Sequence, residues 1–225
     1  MAIDPARLRT LYGEPPRLDR PTLPGYRLHA HMRLDMMRVM LLGLLLLPVF
    51  AYAIVFGIAA LGGRDSYSLN LISTGGVVRL VLAALVALFG VPFVHEVIHG
   101  LAVLLVGQRP SFGLGPGVAW TSFNAPVGRA AYLTIGLAPL VVISAAAILL
   151  GARYDALAGW MLFAGIVNAS GAAGDLWMTW VTLRQPRHAR YLDLADGFAV
   201  YVPGSEPPAA AAAADDLPTA QVERA

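Results

Sequence analysis

Four long apolar segments, each bounded by polar or glycine-rich residues, divide the chain. They cover about residues 37–62, 80–107, 130–152 and 156–183. A helix of about 20 apolar residues is long enough to cross the roughly 30 Å hydrocarbon core of a bilayer. The pattern therefore predicts four membrane-spanning helices.

Shorter segments outside these spans have patterns typical of strands. Apolar and polar residues alternate with a period of two from Tyr26 to Met36. Residues 111–114 and 118–123 flank a turn rich in glycine and proline, and residues 198–202 form a further candidate strand. We therefore predict an all-α integral membrane protein, with four transmembrane helices and a small β element on the cytosolic side.

The polar flanks indicate three regions. Residues 1–36 are predicted to form a cytosolic N-terminal tail, and residues 37–183 a four-span membrane domain. Residues 184–225 are predicted to form a second cytosolic tail, mostly disordered after residue 204, where proline and alanine dominate.

Composition supports a membrane protein and limits its chemistry. Of the 225 residues, 57% are hydrophobic and 13% are charged, and the mean hydropathy is +0.65. The sequence has no cysteine, which excludes disulfide bonds and thiolate ligands, so a metal ion would need His, Asp or Glu. A net charge of +2 is too small to indicate nucleic acid, and the oligomeric state is left open.

The second span contains two histidines and a glutamate in the order His95-Glu96-Val97-Ile98-His99. A four-residue step in a helix turns about 400°, so His95 and His99 share a face and can reach one metal ion. Glu96 projects about 100° away, where it can act as a general base on a water held by that metal. This spacing is typical of zinc metallopeptidases.

A polar cluster that only fixes helix packing is the alternative explanation. Ionisable groups inside a membrane span cost on the order of 3 kcal/mol each, and they usually mark functional sites. We therefore favour a metal site over a packing cluster.

The fourth span contains a further candidate ligand, Asp175, and an amide, Asn168. They are seven positions apart, about 700° of rotation, and are predicted to share a helix face with Gly171 and Ala172 between them. Small residues on that face would let a neighbouring helix approach closely. For Asp175 the alternative is an interhelical hydrogen bond or a pair with arginine. Asn168 fits structural packing and a substrate contact equally well.

Arginine positions predict the orientation of the chain in a cell membrane. They cluster before the first span, between the second and third spans, and after the fourth, which places both termini in the cytosol. The second and fourth spans then run in the same direction, and His99 and Asp175 each lie about eight residues from the inner end. The three candidate ligands are therefore predicted to meet at one depth.

Other features have simpler explanations. Pro92, three residues before His95, either loosens the helix enough to admit water or makes a harmless kink. His29 and His31 lie on a polar strand face, which favours a solvated edge over a ligand pair. The third span has no charged residue and is interrupted only by Pro139, so we predict that it is scaffold.

The motif from His95 to Gly100 in one membrane helix, with Asn168 and Asp175 in a later one, resembles a known family. This is the "Putative zincin peptidase" family of small bacterial membrane proteins, which is related to the site-2 proteases. The resemblance covers about residues 37–203 and includes the Asp196-Gly197-Phe198 segment after the last span.

The resemblance implies a ligand set, a base and a substrate class. His95, His99 and Asp175 would bind zinc, Glu96 would be the catalytic base, and the substrate would be a membrane-embedded polypeptide. The leading hypothesis is thus a multi-pass zinc metallopeptidase whose partners are the bilayer and a membrane-associated polypeptide. The alternative is a non-catalytic membrane protein in which the cluster binds metal for structure or tethers a partner. A transporter is a weaker third hypothesis, because four spans show no sign of inverted repeats.

Overall fold

The computed structural model describes residues 9–63, 74–115 and 118–204. Its helices are α1 Met36–Gly62, α2 Thr74–Leu85, α3 Val91–Leu105, α4 Arg129–Arg153, α5 Asp155–Gly171 and α6 Ala173–Arg184, with a π-helical turn, Val86–Gly90, between α2 and α3. Its strands are β1 Arg9–Tyr12, β2 Tyr26–Arg33, β3 Ser111–Gly115, β4 Val118–Ser122, β5 Val127–Gly128, β6 Arg190–Leu194 and β7 Gly197–Pro203.

Three helical segments are long and apolar enough to cross a membrane: Met36–Gly62, Gly76–Leu105 and Arg129–Arg153. Helices α5 and α6 meet these criteria only as a pair, bent by 46° at the junction. The described part of the chain therefore has three candidate spans, or four if the bent pair crosses the membrane as one.

The prediction of an all-α fold is wrong, because two antiparallel sheets accompany the helices. One sheet has the strand order β1-β3-β4, and the other has the order β2-β7-β6-β5. Each predicted strand forms within a few residues of its expected bounds, although the turn between β3 and β4 lies outside the described residues. The second sheet pairs β2 with β7 from the opposite end of the chain, and a local pattern of hydrophobic residues carries no information on such a partner. The chain is therefore a mixed α and β protein.

Both sheets lie at the same end of the helices. Strand β2 leads into α1, α3 leads into β3, β5 leads into α4, and α6 leads into β6. The segment between β1 and β2 packs at this end too, where the Ala195 amide donates to the Arg17 carbonyl at 2.8 Å and the Tyr201 hydroxyl to the Pro21 carbonyl at 2.9 Å. The three predicted regions stay a prediction, and the disorder expected after residue 204 falls outside the described residues.

An aromatic cluster joins the four-stranded sheet to α4. The ring of Tyr132 stacks on Tyr191, with centroids 4.9 Å apart and planes 15° from parallel. Phe198 of β7 lies against the same tyrosine at 5.3 Å. These rings are among the most buried side chains of the described residues, so the sheet has a fixed position relative to α4.

The close approach of two helices depends on Gly43, whereas the sequence predicted this role for Gly171. A Cβ atom added to Gly43 of α1 would lie 2.7 Å from the Ser170 carbonyl oxygen, so only glycine allows α1 to pack against the end of α5 here. A Cβ atom at Gly171 would meet nothing within 4 Å. The packing role predicted for Gly171 is therefore wrong.

Candidate metal centre

Helix α3 places the two histidines of the motif one turn apart on the same face. The Nε2 atoms of His95 and His99 are 3.1 Å apart, and their ring centroids are 4.7 Å apart. His99 is 9% exposed, and the side chain of His95 is 12% exposed. The two imidazoles therefore present Nε2 to the same small volume.

The first turn of α6 brings Asp175 against both imidazoles. Its Oδ2 atom lies 3.1 Å from His95 Nε2, and its Oδ1 atom lies 3.4 Å from His99 Nε2. Among the described residues these three side chains form a group whose candidate ligand atoms all lie within 4.8 Å of one another. Two nitrogen lone pairs and a carboxylate this close repel one another unless a proton or a metal cation lies among them. The donor set therefore fits a metal ion such as zinc.

Hydrogen bonds on the far side of each ring determine which nitrogen faces the group. The Asn168 amide donates through Nδ2 to the Pro139 carbonyl at 3.3 Å, which turns Oδ1 toward His95 Nδ1 at 2.9 Å. The Ile135 carbonyl lies 2.9 Å from His99 Nδ1. Both oxygens only accept, so each Nδ1 carries a hydrogen, and in the neutral imidazole Nε2 keeps the lone pair. This is the tautomer that a metal ion requires.

Pro139 explains why the Ile135 carbonyl can accept from a side chain. Proline lacks the amide hydrogen that would bond the carbonyl four residues earlier in the helix, and that carbonyl belongs to Ile135. Helix α4 was expected to be scaffold only, but it supplies both the Ile135 and the Pro139 carbonyls that orient the site. Pro139 is the sequence signal for this role of α4, because a proline leaves one carbonyl of its helix without a helical donor.

Replacing Pro139 with alanine is expected to weaken zinc binding about 10- to 100-fold, the usual cost of losing an outer hydrogen bond to a ligating histidine. The new amide would compete with His99 Nδ1 for the Ile135 carbonyl. Competition with a chromophoric chelator measures the affinity. The matched control is Pro48→Ala, which removes the proline inside α1. Equal affinities for Pro139→Ala and the wild type would contradict the role of the free carbonyl.

Glu96 lies beside the group of three, and the β3–β4 hairpin packs against its helix. The Thr121 hydroxyl donates to the Glu96 backbone carbonyl at 2.9 Å. A Cβ atom at Gly100 would overlap the Phe112 ring, so glycine after the second histidine lets β3 pack against α3. The hairpin is thereby held next to the candidate base.

A cavity of about 290 Å³ opens over these side chains. Its lining includes the group of three, Glu96, strand β4 from Ala119 onward, and the β6–β7 hairpin. Gly171 and Gly174, at the junction of α5 and α6, also face it. The site therefore has an apolar pocket large enough for part of a peptide beside its polar group.

Asp193 is the cavity residue that sequence reasoning missed. It lies on β6, Arg190–Leu194, on the same side of the strand as Tyr191, which the structure shows to be fully buried. The sequence signal is only an acid two positions from a tyrosine in a short segment, which does not tell which face is buried. An acid on the buried face of a strand indicates a functional or a paired group.

The histidines of β2 and the turn before Pro92 are outside the group of three. His31 bonds to Asp196 at 3.0 Å, and Arg33 bonds to the same carboxylate at 3.2 Å, so this part of β2 forms an ion-pair cluster away from the cavity lining. His29 is exposed. The π-helical turn ends just before Pro92, and such turns are frequent near functional sites.

Comparison with protein families gives a match to the family described as "Putative zincin peptidase", over residues 88–190. The matched region is just under half of the chain and contains His95, Glu96, His99, Asn168 and Asp175. No curated protein and no solved structure matches. Over the part that carries the candidate ligands, the chain is thus similar to a family whose description implies a zinc peptidase.

Proposed function

We propose that this protein is a membrane-embedded zinc metallopeptidase that hydrolyses peptide bonds of membrane-associated proteins. The observation that carries the proposal is the convergence of His95, His99 and Asp175 beside Glu96 in one cavity. The family match supports a zinc peptidase, and the three apolar helices support a place in the membrane. The substrate class rests on the likeness of the motifs to those of the site-2 proteases.

Each side chain has a role that follows from its position. His95, His99 and Asp175 would hold zinc, which supplies a Lewis acid for polarising a carbonyl and activating water. Glu96 would take a proton from the attacking water and pass it to the leaving amine. It lines the cavity without belonging to the group of three, as a base that is not a ligand should.

The number of ligands favours catalysis over a structural role. Structural zinc sites are closed by four protein ligands, whereas catalytic sites have three and keep one position open. Among the described residues, the group that could hold a metal has three members. A non-catalytic metal protein, the alternative, has no use for Glu96.

Metal analysis of the purified protein tests the proposal. We expect about one zinc per chain, and cleavage of a detergent-dispersed single-span polypeptide that stops with phenanthroline and returns with added zinc. Protein that never holds a stoichiometric metal would exclude a metallopeptidase. Protein that holds zinc but cleaves no peptide under any condition would favour the structural alternative.

Strand β4 is a suitable edge for binding an extended substrate. It is the last strand of its sheet, and its residues 119–122 line the cavity. A peptide bond inside a helix is shielded, so a protease must extend it, and an edge strand replaces the lost backbone hydrogen bonds.

The Ala119→Pro variant is therefore expected to lower cleavage at least tenfold with unchanged zinc content. The control, Ala119→Val, suits a strand and should cleave normally. Full activity of the proline variant would exclude the edge.

Both termini are proposed to be cytosolic, on the side of the sheets. Arg129 donates to the Leu183 carbonyl at 2.8 Å at this end, and Arg184 lies over the Trp180 ring at 4.1 Å, so two of the arginines that the positive-inside rule counts lie on the side of the sheets. Because the chain has no cysteine, single cysteines can report the orientation. An impermeant maleimide on intact cells should label Tyr154→Cys and spare Asp19→Cys. The reverse pattern would overturn the orientation.

A further inference from the structure

Asp193 projects from β6 into the cavity between the sheet and α4. Alternate residues of a strand face opposite sides, so Asp193 faces the same way as Tyr191, which stacks on Tyr132 of α4. Its cross-strand neighbour is Phe198, another ring of this cluster. An acid thus lies at the edge of an aromatic wall, in the lining that also contains Glu96 and His99.

The surroundings of Asp193 favour its neutral form. Burial raises the pKa of Asp193 to about 7, and Glu96 on α3 adds to the rise, whereas Ser122 on β4 and His99 on α3 oppose it. Tyr132 on α4 is close enough to interact electrostatically with the carboxyl group. A carboxylic acid that keeps its proton near neutral pH can donate a hydrogen bond, which a carboxylate cannot do.

We propose that Asp193 is a second catalytic residue of this site, which donates a hydrogen bond from the cavity wall to the substrate oxygen that gains negative charge. The proposal rests on the proposed peptidase function. No bond to Asp193 forms or breaks, and its proton stays on the carboxyl group. A donor held in a buried wall stabilises a developing oxyanion because it needs little reorganisation during the reaction.

The position of Asp193 fits this role. Strand β4 and the β6–β7 hairpin both line the cavity, and so do the three converging side chains. A peptide extended along the part of β4 before Ser122 would therefore lie beside the wall that carries Asp193, because Ser122 at the end of this strand interacts with Asp193 itself. The carbonyl oxygen of the bond to be cleaved would then lie in the cavity that also contains the group of three and the Asp193 carboxyl group.

Binding of a dipeptide hydroxamate to the zinc-loaded full chain tests the proposal without a known substrate. Asp193→Leu has the same branching, a larger volume and no donor, whereas Asp193→Asn has a similar shape and volume and keeps a donor. We expect equal zinc content in all three proteins, near wild-type hydroxamate affinity in Asp193→Asn, and at least tenfold weaker affinity in Asp193→Leu. The matched control is Asp196→Asn, which changes an acid of the same hairpin outside the cavity lining.

The pH dependence gives a second readout if Asp193→Leu does not fold. The wild type should lose hydroxamate affinity as Asp193 ionises with rising pH, while Asp193→Asn should not, and ionisation of the hydroxamate is common to both. The difference between the two profiles therefore reports Asp193 alone.

Three results would overturn the proposal. They are full hydroxamate affinity in Asp193→Leu, identical profiles for the wild type and Asp193→Asn from pH 5 to 9, and loss of zinc from either variant. The last would make Asp193 a ligand or a structural residue. A wild type without zinc would instead exclude the proposed peptidase function, and the two failures are thus distinguishable.

Discussion

Replacing Asp175 with alanine is expected to remove most of the bound zinc and all cleavage. Its two carboxylate oxygens lie 3.1 Å and 3.4 Å from the two histidine Nε2 atoms, so it contacts both candidate ligands. Two imidazoles alone would leave a weak site, and the carboxylate also supplies negative charge that offsets the cation in a medium of low dielectric. Loss of Asp175 therefore removes a ligand and its charge together.

The measurement is zinc per chain in detergent, with expression matched to the wild type. The control is Asp155→Ala, which removes an acid at the start of α5 and outside the group of three. A full equivalent of zinc in Asp175→Ala would show that the third ligand lies elsewhere. Loss of zinc from the control as well would point to general unfolding instead.

The Glu96→Gln variant is expected to keep its zinc and to lose cleavage by about 10²- to 10⁴-fold, the usual contribution of a general base. Glutamine has nearly the same size, so the cavity wall and the Thr121 contact to the backbone carbonyl should persist. The amide cannot take a proton from water. Zinc content and single-turnover cleavage, measured on the same preparation, separate binding from chemistry.

A control for this change is Glu14→Gln, since Glu14 accepts from Asn124 at 3.0 Å and does not line the cavity. It should cleave like the wild type. Wild-type cleavage in Glu96→Gln would place the base elsewhere. Loss of zinc in Glu96→Gln would make Glu96 a ligand.

The shared position of His95 and His99 could be predicted from the sequence, because it depends on local helix geometry. A four-residue step along a helix fixes the relative position of the two imidazoles whatever surrounds them. Counting residues from the span ends placed Asp175 at a similar depth, and the structure brings its carboxylate to both rings. Strands β2, β3, β4 and β7 were also predictable from short local segments, whereas β1, β5 and β6 were not predicted.

The parts that sequence reasoning missed depend on pairing between distant segments or on the backbone. Asn168 and Asp175 were placed on one face of a straight helix, whereas the chain bends by 46° between them. They reach opposite nitrogens of the same imidazole, because Asn168 contacts His95 Nδ1 and Asp175 contacts Nε2. The Ile135 carbonyl is a backbone group whose sequence signal, Pro139, does not say what it would bond to, and the position of Asp193 in the cavity is set by sheet pairing.

The short distance between the site and the ends of α6 and α3 decides whether the products of cleavage could still span the bilayer. Asp175 lies about 14 Å from the end of α6 at Arg184, and His99 lies about 9 Å from the end of α3 at Leu105, at 1.5 Å per residue. For the proposed activity, a 20-residue span opened at that depth would leave pieces of about 6–9 and 11–14 residues. Neither piece is long enough to cross the hydrocarbon core. One hydrolysis would therefore turn a permanently anchored protein into fragments that the membrane no longer retains as spanning helices.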